Sequence, residues 1–203
     1  AASLRLRSFL NMHGHRLSEA VACAQESIDL ARTCQDAWNL ASSLHALGRM
    51  KLIQGHTEES ARLFKESIYW FEQTGDQWEL SGPYESLGYH ALGVAQYRES
   101  IDYFKKSISI SQIYKGTWIF IRSMKGMLTA LYHIGRYREA AILMISTDKY
   151  RQQELMYTKI EWMDDAQIDS ELRQQWTEKE WADIAWQAGR LSRSQLVAYC
   201  LEC

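Results

Sequence analysis

Four glutamates, Glu19, Glu59, Glu99 and Glu139, recur at an offset of 40, each followed by a small residue: Ala20, Ser60, Ser100 and Ala140. The same offset aligns Ser27, Ser67 and Ser107, then Ile28, Ile68 and Ile108, then Trp38, Trp78 and Trp118, and also Leu47, Leu87 and Met127. Self-similarity at a fixed period means that one supersecondary unit is stacked on copies of itself. Within a period, one amphipathic stretch runs from about Arg16 to Thr33 and a second from Asp36 to Gln54, with apolar residues at helical spacing. The unit is therefore a helical hairpin. Its turns are predicted at His13-Gly14-His15, Gln54-Gly55-His56, around Val94-Ala95-Gln96 and at Gly135-Arg136, where glycine or a small residue suits a left-handed helix end. Further breaks are expected near Asp36, Gly75-Asp76 and Lys115-Gly116. Asp36 and Asp76 are expected N-caps, because a short side-chain oxygen can accept from the open amides of a first turn.

Composition agrees with helices and narrows the function classes. A single proline in 203 residues leaves helix interiors unbroken. The 46% hydrophobic content can supply a continuous core, which argues against disorder. A net charge of -2, with 23 basic and 25 acidic residues spread along the chain, gives no electrostatic reason to expect direct binding of nucleic acid or an anionic membrane. No apolar run approaches the ~20 residues of a spanning helix, and no signal peptide is apparent. Cysteines are sparse: Cys23, Cys34, Cys200 and Cys203, which fits a reducing, cytoplasmic setting. Cys200 and Cys203 have the spacing of half a zinc site, and His13 and His15 flank a glycine, but neither makes a four-ligand set, so no metal or cofactor is expected. Phosphate-loop, metalloprotease and nucleophile-elbow motifs are absent, so this segment is not expected to be an enzyme.

Taking the stretch from Asp36 as the first helix of a pair, Leu47-Gly48 and Leu87-Gly88 are followed by Ser60, Ser100 and Ala140, then Phe64, Phe104 and Met144, then Ser67, Ser107 and Thr147. This pattern resembles the tetratricopeptide repeat. The resemblance implies an all-α, right-handed superhelix of antiparallel hairpins with a period of about 40, longer than the family's ~34 residues. Leu128 stands where the third copy should have glycine. Because that glycine admits close helix approach, a looser or reoriented third pair is expected. Leu4 falls in the column of Leu44 and Tyr84, so the first repeat is read as truncated and the chain as cut from a longer protein.

After Lys149 the period dissolves, which divides the chain into repeats over 1–149 and a C-terminal helical cap over 150–203. One cap helix is expected from Asp164 through Glu180 and a short one from Glu178 to Ala188. Trp162, Trp176, Trp181 and Trp186 are expected to cover the last repeat, and the repeating tryptophans to pack between hairpins. The run around Trp181, Ala185-Trp186, Gly189, Leu191-Ser192 and Leu196-Val197-Ala198-Tyr199 is similar to the tail of bacterial signal-transduction ATPases with numerous domains and of long LuxR-type regulators. That resemblance implies a sensor or interaction domain acting allosterically on upstream domains of the same chain. A stand-alone peptide receptor or adaptor is the alternative.

The tetratricopeptide likeness also implies a concave face lined by the first helix of each pair. It selects Ser42, His45, Arg49 and Leu52, then Gly82, Glu85, Tyr89 and Leu92, then Arg122, Lys125, Thr129 and Tyr132. Of these, His45, Arg49, Glu85, Tyr89, Arg122, Lys125 and Tyr132 are the candidate contacts for a protein or peptide, since guanidinium and ammonium groups grip carboxylates and tyrosines grip peptide backbone.

Overall fold

The computed structural model describes residues 17–113, 117–153 and 165–203, and no strand occurs among them. Seven repeat helices are followed by three tail helices among the described residues. In chain order they are α1 (Leu17–Thr33), α2 (Ala37–Ile53), α3 (Thr57–Thr74), α4 (Ser81–Gly93), α5 (Tyr97–Ile113), α6 (Thr117–His133) and α7 (Tyr137–Gln153), then α8 (Asp165–Gln174), α9 (Glu178–Arg190) and α10 (Arg193–Glu202). Backbone packing divides the chain into two compact units, Ala1–His90 and Ala91–Cys203.

The period is written into the helix starts. α1, α3, α5 and α7 begin at residues 17, 57, 97 and 137, and the repeating glutamate is the third residue of each. A carboxylate there lies beside the open amides of the first turn and the positive end of the helix dipole. Glu59 also pairs with Lys51 at 3.0 Å, and Glu139 with Arg136 at 2.6 Å. The small residue that follows is fully buried in all four copies, as close packing of neighbouring helices demands.

The turns keep the same register. Gly55, Ala95 and Gly135 all have positive φ, at 81°, 59° and 79°, as do Gln35 at 53° and Gly75 at 73°. Asp36 caps α2, its carboxylate accepting from the Asn39 amide at 3.0 Å and from the Asn39 side chain at 2.7 Å. The Asn39 amide, followed by its side chain, holds the Asp36 carboxyl below the ordinary carboxylate range.

The expectation for Asp76 is corrected: α4 starts only at Ser81. The cause is Pro83. In a helix begun near residue 77 its ring would meet the carbonyl four residues back and its missing N–H would leave that carbonyl unpaired. Residues 77–80 form turns instead, and Pro83 falls in the first turn of α4, where no donor is needed. Asp76 accepts from the Trp38 indole at 3.1 Å, while the Trp38 ring meets Phe71 edge-on at 6.3 Å. Trp38 thus ties α2 to the far end of α3 and the turn beyond it.

Buried serines mark the helix contacts. Ser27 pairs with Ser43 at 2.7 Å, and the Ser123 hydroxyl donates to Ser107 at 2.9 Å, the same two columns two periods apart. In the middle copy Pro83 occupies the partner's column, and Ser67 donates to the Ala41 carbonyl at 2.8 Å instead. A buried hydroxyl without a partner would cost about 1–3 kcal/mol, so each copy finds one. The core of the first unit joins Ala20, Ala24, Ile28 and Ala31 of α1 to Leu40, Leu44, Leu47 and Met50 of α2.

In the second unit α9 lies along α7 and α10 along α5. Ile184 and Ala188 bury against Ala141 and Ile142, with Trp176, Trp181, Leu191 and Tyr199 packed around them. The tail helices differ from expectation in one respect. α8 ends at Gln174 and α9 starts afresh at Glu178, because Thr177 and Glu180 form a capping box, each side chain satisfying the other's backbone amide. Ser192 and Gln195 repeat the device at the start of α10. The expected features at His13-Gly14-His15, Leu4, Lys115-Gly116 and Trp162 lie outside the described residues.

Candidate functional site

Neighbouring helices approach closely enough to decide which stripe side chains reach solvent. A Cβ on Gly48 would sit 2.6 Å from the Phe64 ring, so glycine there admits Phe64 of α3 against the α2 backbone. Beside it, the His45 ring meets Phe64 edge-on at 5.8 Å and its Nε2 lies 2.9 Å from the Ser86 hydroxyl. A Cβ on Gly82 would fall 2.9 Å from the same imidazole. The His45 side chain of α2 is therefore packed between α3 and α4, and its ring is engaged inside the first unit.

Glu85 and Tyr89 are corrected as open contacts, since only 6% and 4% of their surface is exposed. The tetratricopeptide likeness put them on a polar stripe, but in the folded chain that part of α4 is covered. Arg49 remains half-buried, one turn beyond His45.

In the second unit Arg122 lies over the Trp118 ring at 5.5 Å, which holds the guanidinium by a cation–π contact while leaving the residue half-buried. Lys125 is also half-buried, and its carbonyl accepts from the buried Thr129 hydroxyl at 3.2 Å. Tyr132 meets His133 at 5.5 Å and Tyr137 at 5.6 Å, and His133 stacks on Tyr97 at 4.6 Å. The Tyr132 hydroxyl donates to the Glu171 carboxylate of α8. This pairing joins an α6 residue to the tail across a large sequence separation, and no local pattern could have signalled it.

The end of the tail is pinned beside this cluster. Arg136 donates to Glu139 and to the Cys203 carbonyl. Burial pushes the Glu139 carboxyl up, but the Arg136 hydrogen bond, a backbone hydrogen bond and the charges of Arg136 and Arg138 together outweigh it, and the group titrates below the ordinary range. Lys149 donates to the Gly189 and Leu191 carbonyls at 3.0 and 3.3 Å, closing the C-terminal end of α9 with a cation. Cys200 is buried and its thiol is pushed well up, first by desolvation. No group of three or more His, Cys, Asp or Glu side chains arranged to hold a metal ion occurs among the described residues. Trp186 departs from expectation: it is 66% exposed, with the Arg190 guanidinium 4.6 Å from its ring, while Trp176 and Trp181 face the repeats. Among the described residues no helix is long and apolar enough to cross a membrane.

No family model matches the chain, and no curated protein matches it in sequence. Solved structures do share its fold. A kinesin light chain-like protein of Podosopora anserina with nearly identical TPR-like repeats is 13% identical, with 92% of each chain covered and a TM-score of 0.64. A single-substitution variant of that protein gives 0.66 at the same identity and coverage. At this identity the likeness speaks to the fold: the chain has an all-α repeat fold similar to these TPR-like arrays.

Proposed function

We propose that this chain is the recognition arm of a larger bacterial regulator of the signal-transduction ATPase or long LuxR type. A protein or peptide held along its first helices would alter upstream domains allosterically. The repeats of 1–149 would form the receptor and 150–203 its cap, in the cytoplasm and without a cofactor. The observation that carries this reading is the tail. Trp181, Leu191, Ser192 and Val197, which bear the resemblance to those regulators, are the residues that pack or cap α9 and α10. On the stripe, Arg49, Arg122 and Lys125 keep partial exposure and cationic character, which suits carboxylate-bearing partners.

The test is to read the natural coding sequence ahead of Ala1 and assay the intact protein for ATP binding and signal response, with and without the double change Arg49→Ala/Arg122→Ala. Nucleotide binding with a response reduced at least tenfold in the double variant supports the reading, and an unchanged response sinks the surface. The second reading, a peptide receptor or adaptor without an ATPase, gains support from the Tyr132–Glu171 contact, in which the stripe already holds a carboxylate. An upstream region of further repeats alone would favour it.

A further inference from the structure

The tail helices are held unequally. α9 buries Ile184 and Ala188, and α10 buries Leu196, Val197 and Cys200, whereas among the described side chains of α8 only Leu172 is buried. A helix of ten residues has little stability of its own, so outside contacts must keep α8 in place. They include packing along α7, the buried Leu172, the Arg173 guanidinium 4.7 Å from the Trp181 ring, and the Glu171 carboxylate, which reaches α6 at Tyr132. One oxygen of that carboxylate accepts from Tyr132 and the other from Gln167 at 2.8 Å. The segment thus touches the last residue of the α6 stripe that also bears Arg122 and Lys125.

We infer that α8 is an internal occupant of a recognition surface on α6, and that the external partner this surface fits is an acidic helical peptide. The partner places a carboxylate at Tyr132 and displaces α8, while α9 and α10 stay docked. This rests on the stripe being the recognition surface, as proposed above. The chemistry of the partner follows from the present occupant, since residues 165–174 carry Asp165, Asp169 and Glu171 against Arg173. Charge-assisted hydrogen bonds from a guanidinium, an ammonium and a tyrosine hydroxyl favour such a segment over a neutral one. Tethering gives α8 a high effective concentration, so a separate copy competes poorly until the internal one is weakened.

The probe is a lactam-stapled peptide of residues 165–174, prepared in its helical form so that helix formation is not charged against binding. It is titrated into the 203-residue chain, wild type and Leu172→Ala/Glu171→Gln. Roughly tenfold tighter binding to the variant is expected, with a several-fold loss when Tyr132→Phe is added. Equal affinity for wild type and variant overturns the inference, as does binding indifferent to Tyr132→Phe or absent at millimolar peptide. Hydrogen exchange over residues 178–203 checks that the cap stays docked; if Leu172→Ala disturbs it, Glu171→Ala alone is used, with about threefold tighter binding expected. Failure here with a response still sensitive to Arg49→Ala/Arg122→Ala would leave the recognition surface standing and remove only its internal occupant.

Discussion

At matching columns of the repeat, the α2–α3 hairpin has Gly48 and Phe64, and the α6–α7 hairpin has Leu128 and Met144. In the first, the aromatic ring lies where a glycine Cβ would be, and the two helices run in close backbone contact. In the second, the small residue is replaced by Leu128 and the aromatic one by Met144, with both still buried and the backbones in looser contact. The looser third pair expected from Leu128 is what the structure has. Second, the close approach has shifted within α6. A Cβ on Gly126 would overlap the Phe104 ring, so there a glycine admits the ring of the preceding helix instead of the following one. The comparison shows that a repeat conserves register and burial, while which helix pair packs most tightly is set by where the smallest residue falls.

Importing the second arrangement into the first is the largest way to strain that comparison. Gly48→Leu should destabilise the first unit by about 3 kcal/mol through overpacking against Phe64. Adding Phe64→Met should restore at least ~1 kcal/mol of that, read as a coupling in a double-mutant cycle by urea unfolding. Strict additivity would contradict the pairing. Gly126→Ala should cost about 2 kcal/mol, because the ring it meets is fully buried and cannot swing away. Gly93→Ala is its contrast: open space surrounds that position in the last turn of α4, and thermal unfolding should show no loss.

A smaller effect separates the two kinds of helix start. Asp36→Ala should remove about 1 kcal/mol by taking away the cap of α2. Because the folded carboxyl titrates below its unfolded value of about 3.9, its contribution is fully present above that pH. It is lost as pH falls through the folded value, and acid unfolding of Asp36→Ala should lack this component. The smallest effects are at the turns. Ala95→Gly should stabilise by about 0.5–1 kcal/mol by relieving a left-handed alanine, and Gly135→Ala should destabilise by about 1 kcal/mol at the equivalent turn. Melting temperatures moving in the same direction for both would contradict the shared left-handed geometry.

The period, helix starts, left-handed turns, Asp36 cap and Leu191-Ser192 helix start were legible because each depends on residues within a turn or two of one another. The late start of α4 was missed although Pro83 was in plain view, because alignment to the neighbouring period outweighed the local breaker. The burial of Glu85 and Tyr89 has a separate cause: a stripe carried over from the repeat pattern says which residues share a face, not how much of that face is covered. The exposure of Trp186, the work of Gly126 and the Tyr132–Glu171 contact depend on helices distant in sequence. Periodicity carries no information about them.

The second unit is closed by firmly docked α9 and α10, with α8 more lightly held along α7 and tied to α6 through Tyr132. Hydrogen exchange on the 203-residue chain tests this most directly. Amides of α9 and α10 should exchange as slowly as those of α7, and amides of α8 at least tenfold faster. Exchange of α9 and α10 as rapid as that of α8 would contradict the cap, and α8 as slow as α7 would contradict its role as a displaceable occupant.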